Sequence, residues 1–506
     1  MSFVPAFIHW ILTFFTDRLV FSWTDDSNVF NYIGCKAVLL LILIPGWKAL
    51  TEHKKNTLDI LKFAGIYLIP LIFVLIVKLP GGYLSNDENL IYEEARTLSD
   101  YNWFSYLTTW YYIISLMLIP WKYGPIIVKV MIQLLVCGYC VKRVSDRCGV
   151  RYGAFTYIPF VFYPVIAYTT SAHRIPVYFL LYAFLLFKLY MDKEEGISIR
   201  KRDIVLILIL GALLTQWRTE GIYLVFLLPV LMLLAYPVLR NGKRFIALIG
   251  LFFLIQYIVS VPQNGVIPGR MGDKANNRMA PFYAYTITNM MRNGLDRDMN
   301  AADLEKVGRY LDIDTVDRIN ADLGDINYED VLILYYPGYV GVKEEASPED
   351  YNAYTEGCKN IFINNPDVFL RTRCGAFNYA ALPYRIGTDG GGIRGVLKLV
   401  FSAVKAGFYN LYIPCVLLLA GFFIFLFRRM WFEFFAAAGL IGHFVIVFVL
   451  APASYFKYYF PVYFTVYLYI TVVAILKCHS VSVVPPAPIA APATGGSMKN
   501  LEPSHD

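Results

Sequence analysis

Apolar runs of about twenty residues, each closed by a short polar stretch, recur along most of the chain. They fall at 3–22, 33–48, 59–79, 121–141, 152–170, 175–191, 204–217, 221–239, 245–262, 406–427, 431–450 and 458–477. A helix of that length spans the hydrocarbon of a bilayer. The pattern therefore predicts an all-α fold, a polytopic transmembrane helix bundle with about 12 crossings. The connectors sort by charge. "KALTEHKKN" (48–56), "VKRVSDRCGVR" (141–151), "SIRKRD" (198–203), "RNGKR" (240–244) and "RRM" (428–430) are basic. Between them come acidic or weakly charged connectors: "WTDDSN" (23–28), "SAHR" (171–174), "QWRTEG" (216–221), the long stretch 263–405 and "APASYFKYY" (451–459). Lys and Arg are retained on the cytoplasmic side, so this alternation predicts both termini in the cytoplasm and the second set of connectors outside.

One run breaks the parity. "YLTTWYYIISLMLIP" (106–120) is short, aromatic and ends at Pro120. Trp and Tyr favour the headgroup zone, which predicts a surface-lying or re-entrant helix over 106–120. The organisation is then an N-terminal transmembrane bundle over 1–262 with a first outer loop at 80–107, an extracytoplasmic helical domain over 263–405, C-terminal transmembrane helices over 406–477, and a Pro/Ala/Gly-rich disordered cytoplasmic tail over 478–506. Within 263–405, Leu304, Val307, Leu311 and Val316 recur at helical spacing after Asn300, a candidate cap. Ser347-Pro348 and Asn365-Pro366 mark two further helix starts. The glycines of "GTDGGGIRG" (387–395) suit a flexible lead-in to the bilayer better than a phosphate cradle.

Composition supports this class. The chain is 57% hydrophobic, 17% aromatic and only 16% charged, against ~25% charge in ordinary soluble domains. The net charge of +7 belongs to the cytoplasmic loops and implies no nucleic-acid partner. The start "MSFVPAFIHWILTFF" lacks the basic n-region and small-residue site of a cleaved signal. No cysteine spacing suits a metal. Cys137 and Cys140, in "CGYC", read as one turn of small polarisable residues inside a span. Cys358 and Cys374 read as free thiols, with a disulfide between them as the alternative.

The first outer loop holds acids close to the hydrocarbon edge: "LPGGYLSNDENLIYEEARTLSDYNWF" carries Asp87, Glu88, Glu93 and Glu94. Glu93 and Glu94 fit the solvated face of a helix. Asp87 and Glu88 fit a cation, a proton or a substrate. His173, Arg174, Arg218, Glu220 and Lys457 lie on other outer connectors, and short connectors would hold them all at one rim. Arg174 and Lys457 also suit snorkelling to headgroups, Arg218 with Glu220 a structural ion pair, and His173 a satisfied polar residue. Together, however, these residue types suit sugar transfer. A carboxylate takes a proton from an attacking hydroxyl, while Arg or Lys neutralises a phosphate leaving group.

At these residues the chain resembles the C-type membrane glycosyltransferase superfamily, which includes the protein O-mannosyltransferases and the bacterial enzymes that add aminoarabinose to lipid A. The family's first outer loop carries an Asp-Glu pair followed by a Tyr and an Ala. Here "DENLIYEEA" supplies Asp87, Glu88, Tyr92 and Ala95, with Asn89 where Pro is usual. "WRTEGIYLVFLLP" resembles an outer turn bearing an Arg. "APASYFKYYFPVYF" resembles a late outer loop, with Lys457 where Arg is common. The layout with an outer helical insertion is similar to that of bacterial multi-pass members. The resemblance implies an inverting glycosyltransferase of the bacterial plasma membrane that uses a polyprenyl-phosphate sugar donor and a glycan, lipid or protein acceptor. Asp87 would be the base and Glu88 a supporting acid. Mg²⁺ or Mn²⁺ on Asp87 and Glu88 is an option the family leaves open. Arg174, Arg218 and Lys457 would bind the donor phosphate, supported by His173 and Glu220. Two other readings stand beside it: a polymerase or ligase taking pyrophosphate-linked glycans, and a transporter or flippase of lipid-linked glycans, for which no clear inverted repeat is visible.

Overall fold

The computed structural model describes residues 3–78, 86–99, 105–171, 173–263, 279–322, 334, 341–343, 346–384 and 392–482. Among these the chain is helical and has no strand. Eight helices are long and apolar enough to cross a membrane: Val29–Thr51, Lys54–Val74, Gly124–Cys148, Ile175–Glu194, Gly242–Val261, Leu399–Phe427, Trp431–Leu450 and Phe456–His479. The other four apolar runs form shorter or interrupted elements. Phe3–Thr16 is a 14-residue helix, Lys201–Trp217 has 17 residues and Leu224–Ala235 has 12. The expected span 152–170 is broken into short pieces, including Ile158–Val161 and Tyr163–Thr169.

That break has a local cause. In a continuous helix the Phe160 carbonyl would accept from the N–H of residue 164, but residue 164 is proline and has none. The Tyr67 hydroxyl, from the Lys54–Lys78 helix, donates to that carbonyl instead at 2.5 Å. Tyr157 returns a bond to the Phe63 carbonyl at 2.8 Å. Irregular backbone packed among apolar helices is stable only where protein supplies the missing partners.

The bundle centres on Ile175–Glu194, a helix buried along most of its length. Glycines set two close helix approaches. A Cβ on Gly138 would lie 2.5 Å from the Ile60 carbonyl, so the "CGYC" turn is the surface on which the Lys54–Lys78 helix packs. A Cβ on Gly34 would meet the Trp110 ring at 2.6 Å. The first helix is tied down by an ion pair inside the apolar layer. Lys36 and Asp17 lie 2.7 Å apart and almost fully buried, and the Tyr32 hydroxyl donates to Asp17 at 2.6 Å.

The two ends of the bundle differ. At one, Arg143 grips Glu195 at 3.1 and 2.9 Å and Asp192 at 2.7 Å, Lys193 reaches Glu433 at 2.6 Å, and Tyr152 packs on His479. This is where the connectors around 142, 195, 240 and 429 gather. The opposite end carries Glu88, His173, Arg218 and Lys457.

Segment 106–120 forms the helix Tyr106–Leu118, but not an exposed surface helix. Leu107, Thr108, Tyr112, Ile113 and Leu116 are buried. The helix lies across the Glu88 end with protein around it. The Tyr106 hydroxyl donates to the Val259 carbonyl at 2.7 Å and the Trp110 indole to Asn31 at 2.9 Å.

The insertion has its own core of Tyr285, Met290, Val307, Leu311, Val316, Tyr354 and Ile361. Ser347 opens the Pro348–Asn364 helix with a capping box to Asp350, and Asn365 precedes Pro366–Ala381, both as expected. The helix expected after Asn300 divides into Ala301–Gly308 and Ile313–Asp322, because Leu311 pairs with Val342 in an isolated bridge. Asn300 makes no cap bond; its side chain accepts from Asn365 at 2.9 Å. Cys358 is buried, Cys374 is exposed, and they are not bridged. Arg373 seats the insertion on the bundle. Its guanidinium donates to the Phe448 carbonyl at 2.6 Å and the Ala451 carbonyl at 3.0 Å, at the C-terminus of Trp431–Leu450. Those carbonyls lack partners in their own helix and carry its negative dipole end. The glycine lead-in at 387–391 and the tail beyond 482 lie outside the described residues.

Candidate functional site

The Asn86–Thr97 helix buries Glu88, Ile91, Ala95 and, just past its end, Leu98. Steps of three and four place them on one face, so Glu88 shares the buried stripe while Glu93 faces solvent with Arg96 at 3.4 Å. The connector before the Val29–Thr51 helix fixes the far end: the amides of Ser22 and Asn28 donate to the carbonyls of Arg96 (2.9 Å) and Leu98 (3.0 Å). Asp87 lies in the first turn of the Asn86–Thr97 helix, but its side chain is outside the described residues.

Glu88 is 2% exposed and meets two residues of the 171–174 connector. His173 Nδ1 lies 3.4 Å from Oε1, and Arg174 NH1 lies 3.5 Å from the same oxygen. Lys129 holds that connector in place, donating to the carbonyls of Ser171 and His173, the latter at 2.6 Å. Arg174 is the residue at which the Ile175–Glu194 helix begins. A cation is disfavoured at a helix N-terminus and an anion favoured, so this corner attracts negative charge, and Glu88 supplies it.

Burial pushes the Glu88 carboxyl up, but His173, Arg174 and Lys457 outweigh it and hold the group at about 2. Burial pushes His173 below its ordinary value, against the pull of Glu88 and aided by Lys457 and Lys129. At neutral pH the carboxyl is therefore ionised and the imidazole neutral. The Nδ1–H tautomer then donates to Glu88, leaving Nε2 as an acceptor.

A second cluster adjoins through the Phe456–Tyr459 turn. Lys457 lies 4.6 Å from the Tyr455 ring and 5.8 Å from the Tyr458 ring, and Arg218 lies 5.6 Å from Tyr458 on its other contact. Arg218 forks onto Glu220 with bonds of 3.1 and 2.5 Å. The Tyr458 carbonyl lies 3.3 Å from His443 Nε2, and Tyr178 stacks on that imidazole.

Of the residues singled out in the sequence, Glu88, His173, Arg174 and Lys457 come together. Arg218 and Glu220 form their own pair next to them. Lys129 and His443 were missed. Each sits inside an apolar run, and only the position of Lys129 in the first two turns of its helix hinted that it faces the connectors.

A divalent cation does not fit at Glu88. Its carboxylate faces His173 and Arg174, and Lys457 and Lys129 would repel a dication there. Among the described residues no group of three His, Cys, Asp or Glu side chains is arranged to hold a metal. No protein-family model, curated protein or solved structure matches this chain.

Proposed function

We propose that the protein is an inverting glycosyltransferase of the bacterial plasma membrane, moving a sugar from a polyprenyl-phosphate donor to a glycan, lipid or protein acceptor at the Glu88 end of the bundle. All twelve apolar runs would cross the bilayer, with both termini cytoplasmic. The observation that carries the reading is the meeting of Glu88 with His173 and Arg174, from connectors more than eighty residues apart, beside Lys457. An acidic pair and several cations at one end, opposite the basic connectors, suit the two ends of a displacement on a lipid-borne phosphate.

In this reading Asp87 takes the proton from the acceptor hydroxyl as its oxygen bonds to the anomeric carbon. The bond from that carbon to the phosphate oxygen breaks, and its electron pair leaves with the polyprenyl phosphate. Arg174 and Lys457 offset the charge that builds there. Glu88 positions Arg174 and His173, each of which it contacts. No step uses a metal.

The test is transfer from a polyprenyl-phosphate sugar in vesicles holding the purified chain. Loss of a general base costs ~10²–10⁴ in rate, so Asp87→Asn should lower turnover at least a hundredfold and leave the unfolding midpoint in place. Wild-type turnover by that variant removes Asp87 as base. Movement of the labelled lipid between leaflets without sugar release would instead support the flippase reading.

A further inference from the structure

At the end of the bundle away from Glu88 there is a cavity of about 1020 Å³, formed between the connectors near 147, 193, 240, 429 and 477. Five of its charged lining residues are cations and two are acids. The acids are spent on one cation: Lys193 pairs with Glu433 at 2.6 Å and with Glu194 at 3.0 Å. Among the described residues no carboxylate pairs with Arg147, Arg240 or Arg429. Their charge lines the cavity with no counter-ion among the described residues, so the cavity favours an anion. Arg fits a phosphate best, because its planar fork matches two oxygens at once.

Two further features narrow the ligand. Glu433 is 1% exposed and lines the cavity; one of its oxygens takes the Lys193 bond, and the other, Oε2, is buried with no hydrogen-bond partner. A buried carboxylate oxygen left unpaired is costly, and a ligand hydroxyl beside the phosphate would satisfy it. Glu433 also lines an apolar crevice between Leu186, Leu418, Ala437, Leu440 and Val466, running into the bundle from the same place. Trp431, half exposed, stands at the cavity rim, where an indole suits the boundary of headgroup and hydrocarbon. A phosphate site, a hydroxyl acceptor and an apolar crevice meeting at one residue match an amphiphile.

We propose that this cavity is a lipid site, holding a phosphodiester headgroup that also carries hydroxyls, with Arg147, Arg240 and Arg429 on the phosphate, Glu433 on a hydroxyl, and the crevice taking the start of the acyl chain. A phosphoglycerol headgroup has this chemistry. The site does not rest on sugar transfer, and neither assignment falls with the other.

The experiment is native mass spectrometry of the purified full chain titrated with phosphatidylglycerol, phosphatidylcholine, and glycerol phosphate as a soluble headgroup. Arg429 is the informative position. Its backbone has φ of 57°, a conformation glycine takes without strain, so Arg429→Gly removes the charge without penalising the fold. A second variant, Arg147→Gln, removes another charge from an exposed position. Each basic residue near such a lipid is worth about 1 kcal/mol. Phosphatidylglycerol affinity should therefore fall about fivefold in either variant and about thirtyfold in the double variant, while phosphatidylcholine stays weak and unchanged. Equal affinity for the two lipids, or wild-type phosphatidylglycerol affinity in the double variant, overturns the proposal. Glycerol phosphate binding as tightly as the lipid overturns the lipid assignment in favour of a soluble phosphate ester.

Discussion

At Glu88 one carboxylate answers several cationic groups, and pH reads out the arrangement. The carboxyl titrates at about 2 in the folded chain, against ~4.3 for an unperturbed Glu. Its contribution is thus complete above that ordinary value and is lost only as pH falls toward 2. His173 acts first. Folding lowers its value from 6.5, so below pH 6.5 the unfolded chain takes up a proton that the folded chain resists, and stability declines as pH falls. Thermal unfolding in detergent should show a falling midpoint from pH 6.5 downward, flattened by His173→Gln. Glu88→Gln should cost about 3 kcal/mol at pH 7, because it leaves buried cations unpaired. A midpoint unchanged in that variant would remove Glu88 as the organiser of the corner. Little of this corner could be read residue by residue. Glu88 and Arg174 were legible as outer-rim charges through the alternation of loops, but their contact spans 86 residues. Lys129, Asp17 and Lys36 gave no sign of their partners, because an apolar run does not show which turn faces protein.

Among the elements, those governed by neighbours in sequence were the most legible. The helix start at Ser347-Pro348 follows from neighbouring positions and forms as expected, closed by a capping box between Ser347 and Asp350. Asn300 has the same local signature yet gives its side chain to Asn365, and the helix after it divides at a bridge to Val342; both partners are distant in sequence. The 152–170 run was expected as one span, and neither its break at Pro164 nor the tyrosine that repairs it was read from the sequence. Helix contacts set by glycine allow a direct test. A side chain at Gly138 would press on the Ile60 backbone carbonyl, which cannot swing aside. Gly138→Val should therefore cost about 1–3 kcal/mol, seen as a lower unfolding midpoint. Gly250, with open space around its Cβ position, should accept Ala with no loss. Equal effects at the two sites would mean that the Lys54–Lys78 and Gly124–Cys148 helices are not closely apposed.

Across the whole molecule, the segregation of connectors into two ends is the feature the sequence expressed most clearly, since charge alternation depends on order along the chain and not on packing. Orientation can be tested with native thiols. Cys374 is exposed on the insertion and Cys478 is exposed near the basic end. In chains retaining one or the other, a membrane-impermeant maleimide should label Cys374 on intact cells and Cys478 only after permeabilisation. The reverse pattern would invert the proposed topology.

The Arg373 anchorage bears on biosynthesis. The carbonyls it binds lie 75 and 78 residues downstream, so the insertion leaves the ribosome before its seat exists. At ~5–20 residues per second of translation, that interval is roughly 4–15 s. Over that interval Arg373 has neither of the carbonyls it binds in the folded chain, so this contact can form only after the penultimate long helix has been made.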